Sequence, residues 1–222
     1  MKATHSELRT IALLRRMTGA TIQAIHRMVD MRDPYTGTHQ RRTADLSRGI
    51  AGKMGLTEDE TDGIRMAALI HDIGKIVVPA ELLSMPRRLS SHEFEIIKDH
   101  VPAGYQILKE IDFPWPIARI VLQHHERMDG SGYPNGLKGD SILIEARIIG
   151  IADVVETMSS HRPYRPSLGV EQALSEIDQN RGTLYDPDVV GACMELFQKD
   201  GFRFKVPAPT TSPAFSGWAR DI

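Results

Sequence analysis

The chain has a single cysteine, Cys193, in 222 residues, so no disulfide can form within it and a reducing compartment fits best. Neither sign of charge dominates: 27 Lys and Arg stand against 29 Asp and Glu, a net charge of −2. General nucleic-acid binders are usually basic, so long nucleic acid is not an expected partner. A small phosphorylated ligand stays open, because a few arginines can hold one locally. Long apolar runs are missing too. Segment 142–155 is the nearest to one, but Glu145, Arg147 and Asp153 interrupt it, and it falls short of the roughly 18–20 residues of a membrane span. Residues 11–14 are too few for the core of a signal peptide, and Arg15 and Arg16 follow them. A cytoplasmic protein is expected. There is no convincing period-2 alternation and no internal repeat, so strands are not expected.

What the chain does contain is helical spacing. Leu8, Ile11, Leu14, Ile22, Ile25 and Val29 recur at intervals of three or four, apart from a gap around Gly19, and predict a helix over 6–31. Further helices are predicted over 38–54, from Thr57 into His71-Asp72, from Ser90 to about His100 and Pro102, over 103–110, and from Pro116 to His124-His125. Thr57 with Glu60 and Ser90 with Glu93 read as capping boxes. Residues 129–136 hold three Gly and one Pro and read as a loop. Helices at 143–158, 168–180 and 187–198 complete the pattern, the last with Asp186 as N-cap and Pro187 at its first position. The expected fold is all-α, a single helical domain with a metal centre between packed helices. The segment from Pro207 to Gly217 is rich in Pro, Ser and Thr and is expected to be disordered, with the tail as a whole at 207–222.

Histidine is the unusual component, with 9 residues, most of them in the middle of the chain. His39, His71-Asp72, His100, His124-His125 and Asp153 are separated by 32, 28, 24 and 28 residues, about one helix plus one loop each. Helices packed side by side can bring such groups to one point. His5, His26, His92 and His161 lack this context and read as surface or satisfied core. His71-Asp72 follows the apolar residues 66–70, where an uncompensated charge would be costly. Five imidazoles and two carboxylates suit Fe, Mn or Zn better than Ca or Mg, and they are too many for one tetrahedral site. Two metals bridged by a carboxylate match the number. Lys75 lies three residues after Asp72 and four after His71. Should the helix continue, it shares their face, as a contact for an anionic substrate or as an exposed helix-end lysine.

These segments, read in order, resemble the HD-GYP family, a branch of the HD hydrolases. The resemblance is carried by His71-Asp72-Ile73-Gly74-Lys75-Ile76 and by the run from His124-His125-Glu126 through Asp129-Gly130-Ser131-Gly132-Tyr133-Pro134. Asp33 to His39, Ala152-Asp153, Arg162-Pro163-Tyr164-Arg165 and Gly182 to Pro187 extend it over roughly 22–200. It implies metal-dependent hydrolysis of cyclic di-GMP to pGpG, GMP or both. It also implies His39, His71, Asp72, His100, His124, His125 and Asp153 as ligands of two divalent metals, Fe or Mn, with Asp72 bridging. Lys75 would contact the scissile phosphate, Gly132, Tyr133 and Pro134 would shape a loop beside the substrate, and Arg162, Tyr164 and Arg165 would hold phosphate or guanine. Glu156 stands where the family usually has Asp, which bears on outer support of the site. Tyr35 stands where some members carry a third-metal Glu, so two metals are expected, with Asp33 capping the helix start.

The domain is expected at 22–200, with residues 1–21 as a lead-in helix. The incomplete apolar stripe of helix 6–31 suggests a homodimer through it. The competing functions are hydrolysis of a hybrid cyclic GMP-AMP dinucleotide, hydrolysis of mononucleotides or alarmones, and a non-catalytic cyclic-dinucleotide binding module.

Overall fold

Among the described residues, three helix starts are set by side chains that satisfy the free amides of a first turn. The structure, a computed structural model, describes residues 5–32, 36–161 and 167–205. Its helices are α1 (His5–Arg32), α2 (Thr36–Lys53), α3 (Glu58–Ile70), α4 (Ala80–Leu83), α5 (Ser91–Lys98), α6 (His100–Leu108), α7 (Ile117–Gln123), α8 (Ile144–Ser159), α9 (Val170–Gln179) and α10 (Pro187–Gln198). Both capping boxes form: Thr57 and Glu60 open α3, and Ser90 and Glu93 open α5, each box exchanging side-chain and backbone hydrogen bonds. Asp186 accepts from the amides of Asp188 and Val189 at the start of α10, whose first residue is Pro187. Among the described residues there is no strand, only an isolated bridge between Arg181 and Tyr185.

Three elements differ from the sequence reading. Residues 73–77 and 139–141 are 3-10 turns, and α4 is a single short turn. The break expected near Pro102 falls earlier, at Asp99. Pro102 lies in the first turn of α6, where its missing amide proton leaves no helical bond unmade.

α8 is the axis of the core. Ile148, Ile149, Ile151, Ala152 and Val155 are all buried on it, which puts apolar contacts around most of its girth. It packs on α2, α7, α9 and α10, while α2 also lies along α3, and α6 packs on α7 and the 73–77 turn. Ile22 and His26 of α1 are buried against this body, and α1 touches α2, α3 and the 73–77 turn. Toward its start Leu13 and Met17 are exposed. His26, read from sequence as surface or satisfied core, donates from Nδ1 to Gln40 Oε1 at 2.6 Å and accepts from Arg41 Nε at 3.2 Å. No helix among the described residues is long and apolar enough to cross a membrane.

Candidate active site

The five groups of His and Asp residues lie on five elements that meet. His39 is on α2, His71 and Asp72 follow α3, His100 opens α6, His124 and His125 follow α7, and Asp153 is on α8. Neighbouring ring centroids are 5.5 Å apart for His39 and His71, 5.1 Å for His71 and His124, 5.3 Å for His100 and His125, and 4.0 Å for His124 and His125.

Three of these rings are oriented by one local device. His71 Nδ1 lies 2.8 Å from the Ala68 carbonyl, His100 Nδ1 2.6 Å from Ile97, and His124 Nδ1 2.6 Å from Val121. Each carbonyl is among the last four of a helix, where carbonyls run short of partners along the helix and can accept from a side chain. A carbonyl can only accept, so Nδ1 carries the proton and Nε2 keeps a lone pair. The three Nε2 atoms are buried and make no hydrogen bond among the described residues. Burial also pulls the pKa of His100 and His124 down, that of His124 to about 3, so these rings are neutral at pH 7. His125, half-buried, is held low by the same cause.

Asp72 sits between the rings. Its Oδ1 is 3.4 Å from His100 Nε2, and its Oδ2 is 3.4 Å from His71 Nε2 and 3.9 Å from His39 Nε2. Burial would push its carboxyl up, but the Lys75 ammonium outweighs it and holds it well below the usual range. Lys75 donates from Nζ to Asp72 Oδ2 at 2.6 Å. The helix carrying His71 does not continue to Lys75: α3 ends at Ile70, and Lys75 reaches Asp72 across the 3-10 turn, where residues three apart eclipse.

Buried, unpartnered imidazole lone pairs around buried carboxylates fit a divalent cation and little else. Ligand atoms of His39, His71 and Asp153, of His71, Asp72 and His124, and of His100, His124 and His125 lie within 4.8 Å of one another in each set. Two sets share His71 and two share His124, so the geometry accommodates more than one ion.

His39 is held differently. Its Nδ1 lies 2.5 Å from Glu156 Oε2, and its Nε2 is 3.1 Å from Asp153 Oδ1. Burial lowers its pKa, but Asp153 and Glu156 prevail and raise it to about 9.

The loop after His125 is tied down by Glu126, a role that sequence reading missed. This buried carboxylate accepts from the amides of Asn135 and Leu137 at 2.7 and 2.9 Å. Only the alternation of an acid and backbone turns hints at it. A Cβ on Gly132 would overlap the backbone of His125, Glu126 and Arg127, so close approach makes this glycine obligatory. The Tyr133 ring lies over His125, 4.8 Å between centroids at 30°, and burial pushes its phenol pKa up. Pro134 follows within the same loop. Arg162, Tyr164, Arg165, Tyr35, Asp33 and the 207–222 tail lie outside the described residues.

The sequence model of the HD domain family matches residues 23–189. The chain is 39% identical over 176 residues to a cyclic di-GMP phosphodiesterase response regulator, RpfG, of Xanthomonas campestris, covering 78% of this chain and 47% of that protein. It is 41% identical over 177 residues to a cyclic di-GMP phosphodiesterase of Thermotoga maritima, covering 79% and 48%. The chain thus spans about half the length of these curated relatives. A crystal structure of a cyclic GMP-AMP specific phosphodiesterase of Vibrio cholerae superposes with a TM-score of 0.54 at 30% identity, covering 82% of this chain and 42% of that one. With the His71-Asp72 and His124 to Pro134 segments at the centre of the site, the chain belongs to the HD domain family, in its HD-GYP branch.

Proposed function

We propose that the chain is a metal-dependent phosphodiesterase that hydrolyses a cyclic dinucleotide, cyclic di-GMP first, to pGpG, GMP or both. The observation that carries this reading is the set of three buried Nε2 lone pairs directed around Asp72. His39, His71, Asp72, His100, His124, His125 and Asp153 would hold two divalent metals, Fe or Mn, with Asp72 between them. The metals would supply Lewis acidity at the phosphate and a lowered pKa for a bound water. The chain's own groups do the rest. Asp72 and Asp153 offset the cations' charge, and the Nδ1 bonds keep each imidazole in one tautomer through the cycle. Lys75 Nζ, anchored on Asp72, donates to the phosphate as negative charge develops on it. Tyr133, with Gly132 and Pro134, walls the substrate side of His125, and Arg162, Tyr164 and Arg165 hold phosphate or guanine.

The relatives named as cyclic GMP-AMP phosphodiesterases favour a second reading, in which the hybrid dinucleotide is the substrate. The deciding experiment loads purified protein with Mn or Fe and follows cyclic di-GMP, cyclic GMP-AMP and cyclic di-AMP by chromatography. Preferred turnover of cyclic di-GMP is expected. Binding without turnover of any of them would leave a binding module and overturn the enzyme reading.

We assign the domain to residues 22–200, with 1–21 leading in, and a cytoplasmic location. Exposed Leu13 and Met17 on α1 support a homodimer through that helix. Light scattering should give twice the chain mass; a monomer at high concentration would refute it.

A further inference from the structure

Of the four ligand candidates with an Nδ1 partner among the described residues, His39 is the one that leans on a side chain brought from another helix. His71, His100 and His124 lean on a carbonyl three residues back, which the helix itself holds still. His39 leans on Glu156, 117 residues away on α8, so its aim is only as firm as that carboxylate.

Glu156 is 1% exposed and is held in turn. Ser160 Oγ donates to its Oε1 at 2.5 Å, and Arg42 NH1 stands 3.6 Å from the same oxygen. Arg42 NH1 also donates to Ser160 Oγ at 3.1 Å. Farther out, Arg42 Nε donates to the Lys205 carbonyl at 3.2 Å, and its guanidinium lies 5.9 Å from the Phe204 ring centroid. Phe204 packs on Phe197 of α10 and on Phe202. A guanidinium is a rigid plane, so fixing Nε at Lys205 and one face at Phe204 fixes where NH1 points. An unbroken chain of contacts thus runs from the segment after α10 to a ligand candidate of the centre.

We propose that Arg42 is a positioning residue for His39, acting through Ser160 and Glu156, and that the segment 202–205 holds it in that role. The segment after α10 thereby tunes how tightly the His39 side of the centre holds its metal. This rests on the two-metal reading above. Outer partners of metal-bound histidines commonly change metal affinity by about 10–100-fold, which is the size of effect at stake.

The test is a calorimetric titration of the metal-stripped 222-residue chain with Mn(II), with bound metal counted by mass spectrometry. The wild type should take up two ions. Arg42→Ala should weaken one by about tenfold or more and leave the other within about twofold. Phe204→Ala should weaken the same ion by a smaller factor, and Arg42→Lys should fall between wild type and Arg42→Ala. Asp45→Ala, on the same helix but outside the chain of contacts, should change neither. Urea unfolding of the metal-free variants separates positioning from general damage. Unchanged affinities in Arg42→Ala would overturn the proposal, as would both ions weakening in step with lost stability. An effect of Arg42→Ala with none in Phe204→Ala would overturn the part given to the segment. Should Arg42→Ala fail to fold, Arg42→Lys and Phe204→Ala decide alone. A wild type that takes up no Mn(II) overturns the two-metal reading, and the proposal with it.

Discussion

Gly74 lies against the backbone of His100 so closely that a Cβ on it would overlap the His100 carbonyl oxygen. The 73–77 turn and the start of α6 are in contact through bare backbone, and this contact sets Asp72 and Lys75 opposite His100. Backbone on both sides leaves no flexible side chain to yield. Gly74→Ala should destabilise the protein by about 3 kcal/mol or more, the upper range of overpacking. It should also lower bound metal, because Asp72 moves off His100. Urea unfolding and metal analysis check both, and a variant that keeps full stability and metal content would contradict the close approach.

On the proposed reading, Lys75 separates binding from chemistry. It is not a ligand candidate, so Lys75→Met should retain the metals. Losing a donor aimed at developing charge costs about 10²–10³ in kcat at comparable sites. Steady-state kinetics with cyclic di-GMP, alongside metal counting, tests this. A drop in metal content matching the drop in rate would assign Lys75 to holding Asp72 instead.

Glu126 predicts a loop phenotype. Glu126→Ala removes the acceptor of two backbone amides in a partly buried setting, with a total cost of about 1–3 kcal/mol because water reaches the exposed Asn135 side. The loop carrying Tyr133 should loosen, seen as faster amide exchange at Asn135 and Leu137. KM for the dinucleotide should rise more than metal affinity falls. Unaltered exchange at both amides would exclude the staple.

Stability of the metal-free protein should peak near neutral pH. His100, His124 and His125 have pKa values lowered by burial, so the unfolded chain takes up their protons first, and stability falls as pH drops below 6.5. Asp72 and Asp153, held low against the effect of burial, add a loss below 3.8. His39 acts in the opposite direction. Its raised pKa contributes stability in full below 6.5, and this is lost as pH climbs toward about 9. On the proposed reading a bound metal would replace the His39 proton, so the alkaline decline should vanish in metal-loaded protein. Urea midpoints across pH 5–10, with and without Mn(II), test both limbs, and a metal-free protein gaining stability up to pH 9 would contradict the account of His39.

The sequence by itself determined what depends on neighbours within a turn or two. Thr57 with Glu60, Ser90 with Glu93, and Asp186 with Pro187 mark helix starts because capping is a contact three residues long. The order and spacing of the His and Asp groups already pointed to a metal centre, since each group occupies one helix-and-loop unit. The tilt of His71, His100 and His124 is also local, a bond to a carbonyl three residues back. Tertiary structure alone decided the rest. Glu156 meets His39 across 117 residues, Gly74 touches the His100 backbone, and Arg42 reaches Lys205 across 163. No periodicity encodes such pairs, because they exist only once the helices have packed. The apolar core chooses that packing by volume and shape, and the polar contacts then follow from where it sets each backbone.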